Sequence, residues 1–182
     1  MHETIDINNL ILAVIFSAFG VLVPVLFHLV GLGSIFLPMF IPLAAGAFFL
    51  SPVNALILGI FTPLASALLT GMPPFYPPVA FIMMAGLGVF CLAISVLSHR
   101  TSLPRVAVLA AAIVAERIIL LLFLAAIMPV LKISYRAFSL YELAKGVPGM
   151  ILILVTVPLM VRWLERVISS RSLKLFEHSH QE

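Results

Sequence analysis

The sequence predicts an all-α integral membrane protein, a bundle of six transmembrane helices with both termini cytoplasmic. Three observations predict it. Of the 182 residues, 63% are hydrophobic and only 9% are charged. A soluble domain carries roughly a quarter charged residues to wet its surface, so lipid must be the solvent here. Apolar runs of about 20 residues, the length that crosses a bilayer, recur along nearly the whole chain. The basic residues, finally, gather on alternate connections between those runs.

The runs fall at roughly 10–30, 36–50, 53–71, 79–98, 104–128 and 144–167. Residues 1–9 then form a cytoplasmic N-terminus, 10–167 the membrane domain and 168–182 a cytoplasmic tail. Glu3 and Asp6 precede the first run without any Lys or Arg. A secretory leader needs a basic start, so that run reads as a retained helix. The second run is short, and Pro38 and Pro42 near its start predict an angled or partly irregular entry. Irregular backbone at membrane depth requires cover from protein or from a water-filled cavity.

Orientation follows from charge. Arg100, Arg105, Arg162, Arg166, Arg171 and Lys174 fall on one side, and Lys132, Arg136 and Lys145 on the other. The larger set belongs inside. Three unusual connections then face outward: the glycine-bearing 28–38, the proline-stiffened 72–78, and 129–142 with Tyr135 and Tyr141.

Several function classes are excluded. A formal charge of +3, scattered along the chain, does not make a nucleic-acid surface. The single Cys91 cannot form an intrachain disulfide. Asp6 is the only aspartate, and neither a His-Glu-x-x-His zinc motif nor a Gly-x-Ser-x-Gly elbow occurs. No phosphate loop is present, so uphill transport would need an ATPase partner. No catalytic residue, metal ion or cofactor is therefore expected. The paired His178 and His180 read as part of a disordered tail.

Glu116 and Arg117 are the charges inside the fifth run. Counted from Pro104, Arg117 lies about 20 Å into a hydrocarbon core about 30 Å thick, in the outer half. A charge at the helix centre costs about 2.5–3.5 kcal/mol on insertion scales and usually faces the bundle interior or a cavity. Two readings stand: a structural arginine satisfied by backbone or snorkelling outward, or a cavity cation that meets an anionic ligand. Neighbours on a helix point about 100° apart, so the sequence leaves their pairing open. Met84, Phe90 and Tyr76 belong to a Met- and aromatic-rich stretch that would line an apolar pocket or simply pack. Tyr76 and Tyr135 also suit interfacial anchors. Ala13 and Ser17 form a small-xxx-small pair that lets another helix approach closely.

The stretch FLPMFIPLAAGAFFLSPVNALILGIFTPLASALLTGMPPFYPP resembles the substrate-specific S components of energy-coupling factor (ECF) transporters. The shared order is Leu37-Pro38-Met39, Ile41-Pro42, Gly46, then Pro63-Leu64-Ala65-Ser66 and Thr70-Gly71-Met72-Pro73-Pro74. It continues through Arg117 to Val147-Pro148-Gly149-Met150-Ile151 and Val157-Pro158-Leu159. The resemblance implies a six-helix subunit of a bacterial or archaeal cell membrane. Such a subunit captures a vitamin- or cofactor-like molecule outside, under loops after the first, third and fifth helices. It delivers the ligand inward with a transmembrane coupling subunit and two ATPases, and the coupling subunit contacts the small-residue face carrying Ala13 and Ser17. The implied substrate-binding set is Arg117, Glu116, Phe40, Met84, Phe90, Tyr76 and Tyr135. Phe40, Phe90 and Ile153 stand where relatives often carry polar groups, so the expected micronutrient is amphipathic, with a carboxylate for Arg117. An intramembrane enzyme and a non-binding structural subunit are the rival readings.

Overall fold

The computed structural model describes residues 7–29, 37–75, 79–127 and 146–179. Within them the chain forms helices and no strands: α1 Ile7–Leu29, α2 Phe40–Ala47, α3 Pro52–Thr70, α4 Val79–Arg100, α5 Arg105–Ile127 and α6 Val147–Ser179. Five of these are long and apolar enough to cross a membrane; α2 is not among them. This is a helical membrane bundle.

Local chemistry sets the helix ends. Pro52 opens α3 from an extended Ser51, where its missing N–H costs nothing. Gly71 closes α3 at φ 71°, a left-handed position that suits glycine, and its N–H reaches the Ala67 carbonyl. His99 and Arg100 finish α4, placing cationic or polar groups at the negative end of the helix.

The second expected span, 36–50, differs in the structure. Its helix has eight residues, about 12 Å of rise against a core of about 30 Å. Pro38 and Pro52 bracket it, and a residue before proline is pushed out of helical geometry. At its end, the N–H groups of Phe49 and Leu50 both turn onto the Gly46 carbonyl. The irregular backbone that follows is covered: Ser95 of α4 donates to the Leu50 carbonyl at 2.7 Å. The sixth helix has its apolar span at Val147–Val167, near the expected 144–167, and continues beyond it to Ser179.

Contacts give the helix directions. A side chain grown at Gly46 would meet Phe16, and one at Gly20 would meet Leu43, so α1 and α2 run antiparallel. Phe40 stacks near Phe90 while Leu50 meets Ser95, so α2 runs with α4. Arg105 pairs with Glu165 across α5 and α6, which are antiparallel. The contacts thus make α1 and α2 antiparallel, α2 and α4 parallel, and α5 and α6 antiparallel. Helix α5 starts at the end of the bundle where α6 leaves it. That end carries Arg100, Arg105, Arg162 and Arg166, and is called the basic end below.

The core surrounds α4, half of whose span is buried, against 17% for α1. Leu43, Leu50, Leu87, Phe90, Ile94, Leu109, Ile153 and Val157 are fully enclosed in it. Helices α3 and α4 approach backbone to backbone: a Cβ on Gly59 would lie 2.3 Å from the Leu87 carbonyl oxygen. Glycine is the residue that permits this approach. On the outside, Val14, Phe61, Leu69, Val114 and Leu159 are exposed, as lipid-facing residues should be.

Candidate functional site

Glu116 and Arg117 sit midway along α5, between α4 and α6. The carboxylate of Glu116 is buried, with only 7% of its side chain exposed, and Arg117 is 14% exposed. Their charges meet: Arg117 Nε lies 2.8 Å from Glu116 Oε2. The Nε–H is not aimed along that line, so the contact is ionic rather than a well-formed hydrogen bond. The sequence left this pairing open; the fold closes it.

Each charge rests against a glycine of a neighbouring helix. A Cβ on Gly86 of α4 would lie 3.2 Å from Glu116 Oε1. A Cβ on Gly146, just before α6, would lie 3.4 and 3.5 Å from the two Nη nitrogens of Arg117. The guanidinium therefore reaches from mid-helix toward the end of the bundle opposite the basic one. A side chain at Gly86 would crowd Glu116, whereas one at Gly146 would meet Arg117 at ordinary van der Waals contact. No sequence signal had singled out Gly86 or Gly146, because a glycine's role depends on what packs opposite it.

One turn before the pair, Ala112 and Ile113 tie α5 into a buried apolar cluster, called the floor below. Phe40 and Phe90, with ring centroids 5.2 Å apart and planes tilted by 57°, belong to the same buried cluster as Ala112, Ile113 and Ile153. Phe40, Phe90 and Ile153, the three positions the resemblance marked as apolar replacements, all lie in this hydrophobic core. Met150 bridges floor and charge, since it packs on the cluster and its methyl group lies beside Gly146.

Not every expected residue joins this site. Met84 lines a separate apolar groove of about 450 Å³ between α3, α4 and α5, with Leu56, Ile60, Gly88, Ile119 and Phe123. Neither Glu116 nor Arg117 lines that groove. Tyr76 and Tyr135 lie outside the described residues. Ala13 is buried in the core, and the Ser17 hydroxyl is 3.0 Å from that of Thr62 on α3. Thr62 itself donates back to the Leu58 carbonyl, which completes a small polar contact between α1 and α3. The small residues of α1 therefore bring it against α2 and α3 of its own chain. Among the described residues no group of three or more His, Cys, Asp or Glu converges as metal ligands would.

Chemically, the site is a charge-neutral pair held between three helices, with apolar packing on one side. A guanidinium offers a planar fork of donors suited to a carboxylate or phosphate, and its Nε is the nitrogen that lies 2.8 Å from Glu116. Fold and site together define a multi-pass helical membrane protein with an intramembrane ion pair. Comparison with protein families, with curated proteins and with solved structures yields no match to this chain.

Proposed function

We propose that this chain is the substrate-binding membrane subunit of an ECF-type importer. It captures an amphipathic micronutrient from outside a bacterial or archaeal cell and passes it inward with a coupling subunit and two ATPases. One observation carries the reading. Glu116 and Arg117 are neighbours on one helix, so their ion pair ties no two helices together. Each charge in a span costs about 2.5–3.5 kcal/mol; their mutual contact offsets part of that, no other helix adds a charge partner among the described residues, and what is left uncompensated points to a ligand. Arg117 would pair with the ligand's carboxylate, and the Phe40, Phe90 and Ile153 floor, enclosed as it stands, would face its apolar part once the packing over it opens.

The order of motifs from Leu37-Pro38-Met39 to Thr70-Gly71-Met72-Pro73-Pro74 supports the same family. The four arginines of the basic end favour that side as cytoplasmic, and the reading puts both termini there. The resemblance assigns the coupling subunit to the α1 face carrying Ala13 and Ser17; since Ala13 is buried and Ser17 meets Thr62 of this chain, the contact would extend over the exposed Leu10, Ile11, Val14 and Leu22. Ala13 and Ser17 on its inner side would set how closely α1 follows α2 and α3.

The test begins with mass spectrometry of small molecules that copurify with the chain. Calorimetry with the identified ligand should then show at least tenfold weaker binding in Arg117→Ala, about 1.4 kcal/mol. Arg117→Lys should recover only part of it, since ammonium lacks the planar fork. Proteoliposomes holding this chain alone should not accumulate the ligand with ATP on either side. Unchanged affinity in a folded Arg117→Ala variant, or accumulation by the isolated chain, would overturn the proposal.

A further inference from the structure

The arginines of the basic end are unequally occupied. Arg105, the first residue of α5, reaches both carboxylate oxygens of Glu165 through Nη2, at 2.7 and 2.6 Å. Because α5 enters the membrane at Arg105, this contact sets the level of Glu165 on α6. It lies where hydrocarbon gives way to headgroups. Arg162 and Arg166 flank it on the same helix, and both are exposed. Neither has an ion-pair partner among the described residues, and the one acidic side chain of this turn is already held by Arg105. The turn therefore carries two positive charges in excess.

The surface below continues the pattern. Ile151, Val155 and Leu159 follow at helical spacing, each more than half exposed, and lead up to Trp163, which is 62% exposed. Residues four apart lie on one face with Cβ atoms about 5–6 Å from each other. Helix α6 thus presents an apolar stripe that ends in an indole and two arginines. Trp prefers the headgroup level, and paired guanidinium groups suit phosphate oxygens.

We propose that this stripe is a binding site for one anionic phospholipid, its acyl chain along Val155 and Leu159 and its headgroup between Arg162 and Arg166. The apolar half of the stripe favours a lipid over a soluble anion or an acidic protein, which would meet only the arginines. The proposal depends on the helices crossing a membrane and is independent of any transport role.

Trp163 is the only tryptophan in the chain, so its fluorescence reads this position alone. The full chain would be reconstituted in phosphatidylcholine vesicles containing a minor fraction of acyl-brominated phosphatidylglycerol, or of acyl-brominated phosphatidylcholine. At low salt, a basic residue near the surface attracts anionic lipid by about fivefold. Quenching by the brominated anionic lipid should therefore exceed that by the zwitterionic one several-fold, and the excess should shrink as salt rises. Arg162→Gln/Arg166→Gln should abolish the excess. Glu165→Gln, which releases Arg105 into the cluster, should raise it. Cys91 is fully buried, so its unreactive thiol confirms that each variant remains folded. Equal quenching by the two lipids in the native chain would overturn the proposal. So would an excess that survives in the double variant, or one that millimolar inorganic phosphate removes when chloride of equal ionic strength does not.

Discussion

A double-mutant cycle on Glu116 and Arg117 separates an ion pair that builds the bundle from one that the bundle merely encloses. The perturbations are Glu116→Gln, Arg117→Met and the two combined. If the pair linked two helices, removing one partner would strand a buried charge on folding, at a cost of about 3–5 kcal/mol. Here both charges belong to α5 and touch at 2.8 Å, so the contact survives when α5 stands alone in lipid. What assembly changes is the packing of Gly86 and Gly146 against the two groups. Polar contacts measured within membrane bundles average about 0.6 kcal/mol, because the separated helices also find partners. The expected coupling energy is accordingly at most about 1 kcal/mol. The single variants should instead lower the yield of inserted protein, since an unpaired charge in α5 raises the insertion cost by about 2.5–3.5 kcal/mol. Stability can be read in detergent from the labelling of Cys91, the chain's sole cysteine, by a thiol-reactive dye during heating. A coupling energy above about 2 kcal/mol would refute the reasoning and make the pair a structural tie.

Three further outcomes follow from the packing. Gly59→Ala should destabilise the bundle by about 1–3 kcal/mol despite alanine's higher helix propensity, because its Cβ would sit 2.3 Å from a backbone oxygen that cannot rotate away; a melting temperature equal to or above wild type would count against the α3–α4 contact. Ala13→Leu should destabilise the isolated chain itself by about 1–3 kcal/mol, since Ala13 is buried between helices; an unchanged melt would place it on an open face. Glu165→Gln should shift stability by no more than about 1 kcal/mol, because Arg105 and Glu165 remain 32% and 46% exposed, and a larger loss in the same dye assay would show that this pair pins α5 to α6.

Composition alone determined the solvent of this protein. With 9% charged residues the chain has no means of wetting its surface, and a window of apolar residues long enough to cross a bilayer is a local property that needs no knowledge of the fold. Four of the long helices lie within a few residues of their expected bounds for that reason, as does the start of α6. The proline signals around 38, 42 and 52 were also legible, but not their outcome: whether a short segment becomes a tilted span or an eight-residue helix depends on which side chain can satisfy the backbone it exposes, and Ser95 lies 45 positions away from Leu50. The same limit applies at the site. Glu116 and Arg117 declared themselves, because charges within an apolar run are costly wherever the helix packs. Their mutual contact, the glycines that receive them, the tilted contact of Phe40 with Phe90 and the separation of Met84 from all of these required the tertiary structure, since each depends on how α2, α4, α5 and α6 are rotated about their own axes. Hydropathy reports that a helix lies in lipid; only packing against its neighbours decides which way each side chain turns.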